Sequence, residues 1–436
     1  MTARRRRLAP LLAAATAVLA TGLSACTDSK EQAAPGAGGE VRIGVLAPLK
    51  GPQKGAGDEA QRGAQLAADV VNGLNPSIPL PLAEGAGLPN FGGARIKIVP
   101  ADTSGADPQT AAAGAVTRLV SQQGVDALVG AYDPQVTEYA SQRSERYEVP
   151  FVNADSPATF LTDRGLDWFF RLGPSWRTAG EAFFSLLRAQ QGESSTTLPK
   201  IVVLHADDKA GRDVNTTVSE LAQEGGYDKP DHVSFPPGAT DLQNSVSQLQ
   251  AANPDVVMVY ATPNTVQPLI NAFALKQYRP KAVFSFGLGY LTTENYRSSA
   301  AVVTGLCRSV SWATETAERN RAALAVANLY QRRYNTPMTE EAAATFTAVL
   351  TVAQAVDAAR SSEPARIRTA LLSLDVPGEQ TVMPWGGVQF DETHQNVRAQ
   401  ELVEQFLTGS FKVIYPGDAA SRKLVYPAEK ARTETS

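Results

Sequence analysis

From Val41 onward, short β-rich runs alternate with longer stretches where apolar residues recur every three or four positions. The runs fit strands buried on both faces, and the wider spacing fits helices with one apolar stripe. Strands are predicted over 41–46, 95–99, 127–129 and 149–152, with helices over 58–72, 110–123 and 135–147 between them. In the first helix Ala60, Ala64, Ala67, Ala68 and Val71 share a face. A second series follows residues 168–171, with helices over 178–191, 214–224, 242–250 and 266–275. Its strands are 200–204, one around Val233, 255–260 and 282–286. Such alternation predicts right-handed crossovers and parallel sheets. After Glu318 the pattern changes to long helices (318–334, 340–360, 365–374) and short strands near 388–390 and 411–414. The fold class is therefore α/β, with two doubly wound parallel-sheet lobes.

The N-terminus follows a different rule. Arg4 to Arg7 precede an apolar run over 8–20, which is too short for a ~30 Å hydrocarbon core that needs about 20 residues. Charge and length match a secretory signal. The run ends in Leu23-Ser24-Ala25-Cys26, which resembles the lipobox of bacterial lipoproteins. That resemblance implies a signal peptide over 1–25, lipidation of Cys26 and anchoring to the outer face of the cell membrane. Sec and twin-arginine export both remain open. Residues 26–40 read as a polar tether with an r.m.s. reach of roughly 20 Å. No other apolar run reads as a membrane span.

Composition narrows the function. The chain has 436 residues, 43% hydrophobic and 19% charged, which excludes a wholly disordered protein and suggests two to three domains. Lys and Arg number 40 against 44 Asp and Glu; removal of the four leader arginines makes the balance 36 against 44. A nucleic-acid binder would carry a basic surplus, so no nucleic-acid partner is expected. With Cys26 acylated, Cys307 has no partner and reads as a buried, inert thiol among Val302, Val303 and Leu306. Three histidines leave little for a His-based metal site, and no nucleophile elbow, P-loop or zinc-protease motif occurs. These absences point away from an enzyme and from a metal, and no cofactor is expected.

Several segments then recur in a telling order. Ile43-Gly44-Val45-Leu46-Ala47-Pro48-Leu49-Lys50-Gly51-Pro52 opens the chain, with Gly57-Asp58 and Arg62-Gly63-Ala64 behind it. Asp102, Asp107-Pro108-Gln109, Val149-Pro150-Phe151-Val152-Asn153, Asn253-Pro254-Asp255 and Trp385-Gly386-Gly387-Val388-Gln389-Phe390-Asp391 follow. Over about 41–416 this set resembles the leucine/isoleucine/valine-type (type I periplasmic) extracellular solute-binding proteins of ABC transporters. The resemblance implies a three-crossing hinge near 170–172, 304–306 and 383–385. One lobe would be 41–171 plus 309–384, the other 172–308 plus 385–416, with 417–436 a polar tail. It further implies a monomer that captures a small polar solute (an amino acid, an amide or a related organic acid or amine). Delivery would be to a membrane ABC permease and its ATPase. The alternative is a ligand-sensing lipoprotein of the same fold that feeds a signalling partner.

In doubly wound sheets ligands meet the loops at the carboxyl ends of strands. On that rule Tyr132, Asp133, Gln135, Asp155 and Ser156 are the ligand-binding candidates of the first lobe. Trp176, Asp208 and Thr262 are those of the second. Gln135 and the following amides open a helix and would hold an acceptor. The plainer roles are a turn cap for Asp155, hinge packing for Trp176 and a solvated face for Asp208. Departures from the family pattern matter more. Asp133-Pro134-Gln135 lacks the hydroxyl pair that grips a carboxylate, and residues 286–289 lack the acid that grips an ammonium. Lys50 and Ala56 also differ, so a branched-chain amino acid is not expected; Asp155 would supply the missing counter-charge. The Pro/Gly-rich segment 75–93 either packs on its own lobe or covers the cleft.

Overall fold

The computed structural model describes residues 39–191, 198–287 and 297–433. The leader, Cys26, the tether up to residue 38 and the 288–289 stretch lie outside the described residues.

Two sheets carry the fold. The first runs β2-β1-β3-β4-β5, all parallel: β1 Glu40–Ala47, β2 Arg95–Asp102, β3 Ala127–Gly130, β4 Phe151–Asn153 and β5 Phe169–Arg171. β1 is fixed between its neighbours by the register Ile43–Ile98 and Ile43–Ala127. Helices α1 Lys54–Asn72, α2 Pro108–Thr117 and α3 Pro134–Tyr147 connect these strands. α2 begins at the Asp107-Pro108 signal: the Asp107 carboxylate accepts from Thr110 N, and Pro108 has no N–H to leave unpaired. The small face of α1 packs on the Glu340–Ala359 helix so closely that a Cβ on Gly63 would lie 2.1 Å from the Ala342 carbonyl oxygen. That second helix is long and apolar enough to cross a membrane, although no run outside the leader was expected to read as a span. Here 83% of its apolar window is buried in protein, which makes it a core helix.

The second sheet runs β7-β6-β8-β9-β10-β13-β14. Its parallel part is β6 Ile201–Ala206, β7 Asp231–Phe235, β8 Val256–Tyr260, β9 Ala282–Ser285 and β10 Cys307–Val310. Helices α4 Trp176–Gln191, α5 Lys209–Glu224, α6 Gln243–Ala252 and α7 Pro263–Leu275 belong to this series. β11 Val376–Pro377 and β12 Gly387–Val388 form a separate antiparallel pair, while β13 Leu402–Leu407 and β14 Ser410–Tyr415 add an antiparallel edge to the otherwise parallel second sheet. β13 is absent from the periodicity because all six of its residues are buried, charges included. Glu404 pairs with Arg308 at 2.8 Å, and Gln405 Nε2 donates to the carbonyls of Gly305 and Val425. Polar letters inside the strand are thus satisfied internally, and no alternation marks it.

The chain passes between the sheets after β5, after β10 and before β13. Trp385, Val388 and Phe390 pack in the apolar cluster of the first sheet, so the return to the second sheet comes at Leu402 rather than at residue 385. Arg171, 3% exposed, sits at the first crossing. Its guanidinium donates to Thr162 Oγ1 at 3.0 Å, to the Ala158 carbonyl and to Gln395 Oε1 of the third crossing. Burial pulls its pKa down to about 10.

Two segments outside the predicted strands and helices are tied down. Ile78, Leu80, Leu82 and Leu88 of the 75–93 segment are buried in the first lobe's core, and Asn90 donates twice to Asp357, at 2.8 and 2.7 Å. This segment packs on its own lobe. Asp357→Ala is expected to cost about 1–3 kcal/mol, because both bonds run to the buried, charged carboxylate of Asp357, although exposed Asn90 can turn to water once they are lost. An unchanged urea midpoint would show that the segment is held by other contacts. At the other end, Ala428 and Ala431 of the Ala428–Thr433 helix are buried, and Ala428 N donates to Lys281 O at 2.7 Å. Cys307 is buried in β10, where burial pushes its thiol far up.

Candidate functional site

At the carboxyl ends of both parallel sheets lies a cavity of about 100 Å³. The first lobe contributes Tyr132 after β3 and Ala154 and Asp155 after β4. Glu340 and Glu341 come from the first turn of the long core helix, whose N-terminus is capped by Thr339. From the second lobe come Trp176 at the start of α4, Phe286 and Gly287 after β9, and Ser309 and Ser311 around the end of β10. Glu401 completes it: β13 pairs antiparallel with β10, opposing Leu402 to Val310, and so brings its leading residue to the same edge.

Three of the eight residues expected to bind ligand therefore line the cavity: Tyr132, Asp155 and Trp176. The others serve nearby structure. Asp133 caps α3, and its carboxylate accepts from Gln135 N at 2.8 Å and Val136 N at 3.2 Å. The amides expected to hold a ligand are thereby occupied, and Gln135 does not line the cavity. Asp208 caps α5 through Gly211 N at 2.7 Å. Thr262 caps α7 in a reciprocal pair with Thr265, with Thr262 N donating to Thr265 Oγ1 at 2.9 Å. Ser156 is buried beneath the cavity wall, where its N–H donates to Asn153 Oδ1 at 3.1 Å.

The electrostatics of the cavity are one-sided. Burial, and then the charges of Glu341 and Glu340, push Asp155 well above the usual carboxylate range. Burial and Glu341 raise Glu340 to about 7, although Ser311 donates to it through its N–H and its hydroxyl. Burial likewise raises Glu341 and Glu401, against the bonds they receive from Thr339 and Ser309. Arg308, whose charge acts on Glu340 and Glu341, is engaged by Glu404 at 2.8 Å and lies 3.7 Å from the centre of the Phe411 ring. Four crowded carboxyls in a low-dielectric site cannot all ionise, so they titrate as a coupled group.

Glu340, Glu341, Glu401, Phe286 and the two serines were not legible as site residues. The available signal was a pair of acids heading an otherwise apolar helix, which also suits a helix dipole. Beside the cavity the lobes touch directly: Lys209 pairs with Glu138 at 2.6 Å, and Thr159 N donates to Asp213 at 2.8 Å. Burial raises Asp213 to about 6.

Comparison with known proteins agrees with this architecture. Leu/Ile/Val-binding protein homolog 7 of Brucella suis biovar 1 is 25% identical over 403 residues, covering 91% of this chain and 96% of the relative. Homolog 8 of Brucella abortus is 26% identical over 394 residues, covering 88% and 93%. Among solved structures, a leucine-binding protein from Thermotoga maritima superposes with a TM-score of 0.71 at 18% identity, covering 86% of this chain and 97% of its own. A branched-chain amino acid binding protein from Streptococcus pneumoniae, in complex with isoleucine, gives 0.69 at 22% identity, covering 86% and 100%. A solute-binding protein from R. palustris, in complex with benzoate, gives 0.68 at 15%, covering 86% and 96%. At these identities the superpositions speak for the fold. Residues 40–406 match the periplasmic binding protein family as a whole, and the chain belongs to that family.

Proposed function

We propose that this protein captures a small polar solute between its lobes and presents it to an ABC permease and ATPase, from a lipid anchor at Cys26 outside the cell membrane. The observation that carries this reading is the cavity between the lobes, walled by residues on both sides of the three crossings. A solute bridging Asp155 and Tyr132 on one side and Trp176 on the other favours the closed arrangement by its extra contacts there, and closure is the form a permease reads. Hydrogen bonds and water exclusion supply the affinity, and the solute leaves unchanged. The relatives named for leucine, isoleucine and valine binding support the solute-capture role. Their amino-acid ligands are not carried over, because this cavity has the opposite charge balance from one that must accept a carboxylate.

Calorimetry and solution scattering test the proposal together. Saturable binding of a solute that is recovered intact, with a smaller radius of gyration in its presence, is the expected result; turnover of the bound compound would overturn it. The anchor has its own test. Cys26→Ser is expected to move the protein from the membrane fraction to the soluble one, since stable attachment needs the acyl chains. Retention in the membrane would remove Cys26 from the account.

A further inference from the structure

Asp155, Glu340, Glu341 and Glu401 line the cavity, and no lysine, arginine or histidine does so among the described residues. Trp176, 2% exposed, also lines it, and its Nε1–H has no acceptor. The rings of Tyr132 and Phe286 form further wall. A buried donor without a partner and a cluster of carboxyls without a counter-ion are each unfavourable when left alone, and they ask for complementary ligand atoms. A neutral amino acid answers poorly, because its own carboxylate would bring further negative charge to a site whose four carboxyls already cannot all ionise. A metal ion answers poorly too: among the described residues no three His, Cys, Asp or Glu side chains converge as a metal site needs. Aromatic walls, by contrast, suit methylene groups and the faces of organic cations.

We infer that the solute is a small organic dication carrying one hydrogen-bond acceptor, its ammonium or amidinium groups held by the carboxylates and its acceptor by the Trp176 indole N–H. This rests on the solute-capture reading and narrows it. Binding then requires the carboxyls in their ionised form. Glu340 faces Glu341 on its own helix, Asp155 from the β4 loop, Glu401 ahead of β13 and Arg308 of β10, with Ser311 donating to it. Glu341 faces Glu59 of α1 as well.

Isothermal titration of the purified protein at pH 7 with four probes tests the inference. These are bis(2-aminoethyl) ether, 1,5-diaminopentane, pentylamine and leucine. The two diamines should bind at least tenfold tighter than pentylamine, leucine should not bind, and the ether should exceed its methylene counterpart. Trp176→Phe should erase the difference between the diamines, because it keeps the ring and removes the donor. Asp155→Asn should weaken both diamines at least tenfold. For wild type, 1,5-diaminopentane, doubly charged throughout, should lose about tenfold in affinity from pH 8 to pH 6, as expected if a carboxyl near pH 7 must release its proton. That pH measurement needs no variant to fold.

Leucine or pentylamine binding as tightly as 1,5-diaminopentane would overturn the dication while leaving solute capture standing. Equal affinity of the two diamines for wild type would overturn the acceptor. If no probe and no member of a broad metabolite panel bound, this inference and the solute-capture reading would fall together.

Discussion

Glu340→Gln should stabilise the ligand-free protein at pH 8 by about 3 kcal/mol and change it little at pH 4. The sign follows from where the proton sits. The folded-state pKa of Glu340 is raised from 4.5 to about 7, so its favourable contribution is complete below the unfolded value and is lost as pH rises through 7. Above that, the wild-type fold must hold an ionised carboxylate beside Glu341 with only Ser311 and a committed Arg308 to offset it. Glutamine keeps an acceptor for Ser311 and carries no charge. Urea denaturation of both proteins from pH 4 to 8 measures this: the curves should coincide at the acid end and separate toward pH 8. Parallel curves would mean that the carboxyl is solvated rather than crowded. A binding site that weakens its own empty fold is a familiar trade between stability and function.

Gly63→Ala is the second large effect. The added methyl would meet the Ala342 carbonyl oxygen at 2.1 Å, and backbone cannot step aside as a flexible side chain can. Separating α1 from the core helix, or bending either, should cost about 3 kcal/mol, the upper part of the overpacking range. Ala342 directly follows Glu341, so the same displacement moves two of the cavity's carboxylates, and solute affinity should fall along with the melting temperature. Gly114→Ala is the control, since nothing lies within 4 Å of its Cβ and α2 gains helix propensity there. Equal stability of the Gly63→Ala and wild-type proteins would show that the two helices tolerate a wider spacing.

Much of the architecture could be read from the chain because buried parallel strands leave an unmistakable mark: uninterrupted apolar runs such as 201–204 and 256–260, set between amphipathic stretches. β13 left none, since Glu404 and Gln405 are hidden inside it and satisfied there. The site was legible only in part, three of eight candidates, for a different reason. Asp133, Asp208 and Thr262 do sit at strand–helix junctions, as expected. Yet a short acceptor side chain ahead of a helix is the signature of an N-cap as much as of a ligand contact, and in all three the cap prevails. Trp176 and Asp155 could be found from strand ends alone. Glu340 and Glu401 could not, being about 180 and 250 residues from Asp155 in sequence; only the second and third passages of the chain between lobes bring them to it.

The bond network at Arg171 constrains how this molecule can move. One guanidinium grips the first passage, the Ala158 turn and Gln395 of the last passage, while Asn396 Nδ2 reaches back to Leu172 O at 3.0 Å. Passages fastened to each other in that way should turn together, as one spindle. If the halves move as proposed, they are expected to swing like a gate on a single pin rather than slide sideways, so that each opening returns the cavity walls to the same mutual alignment.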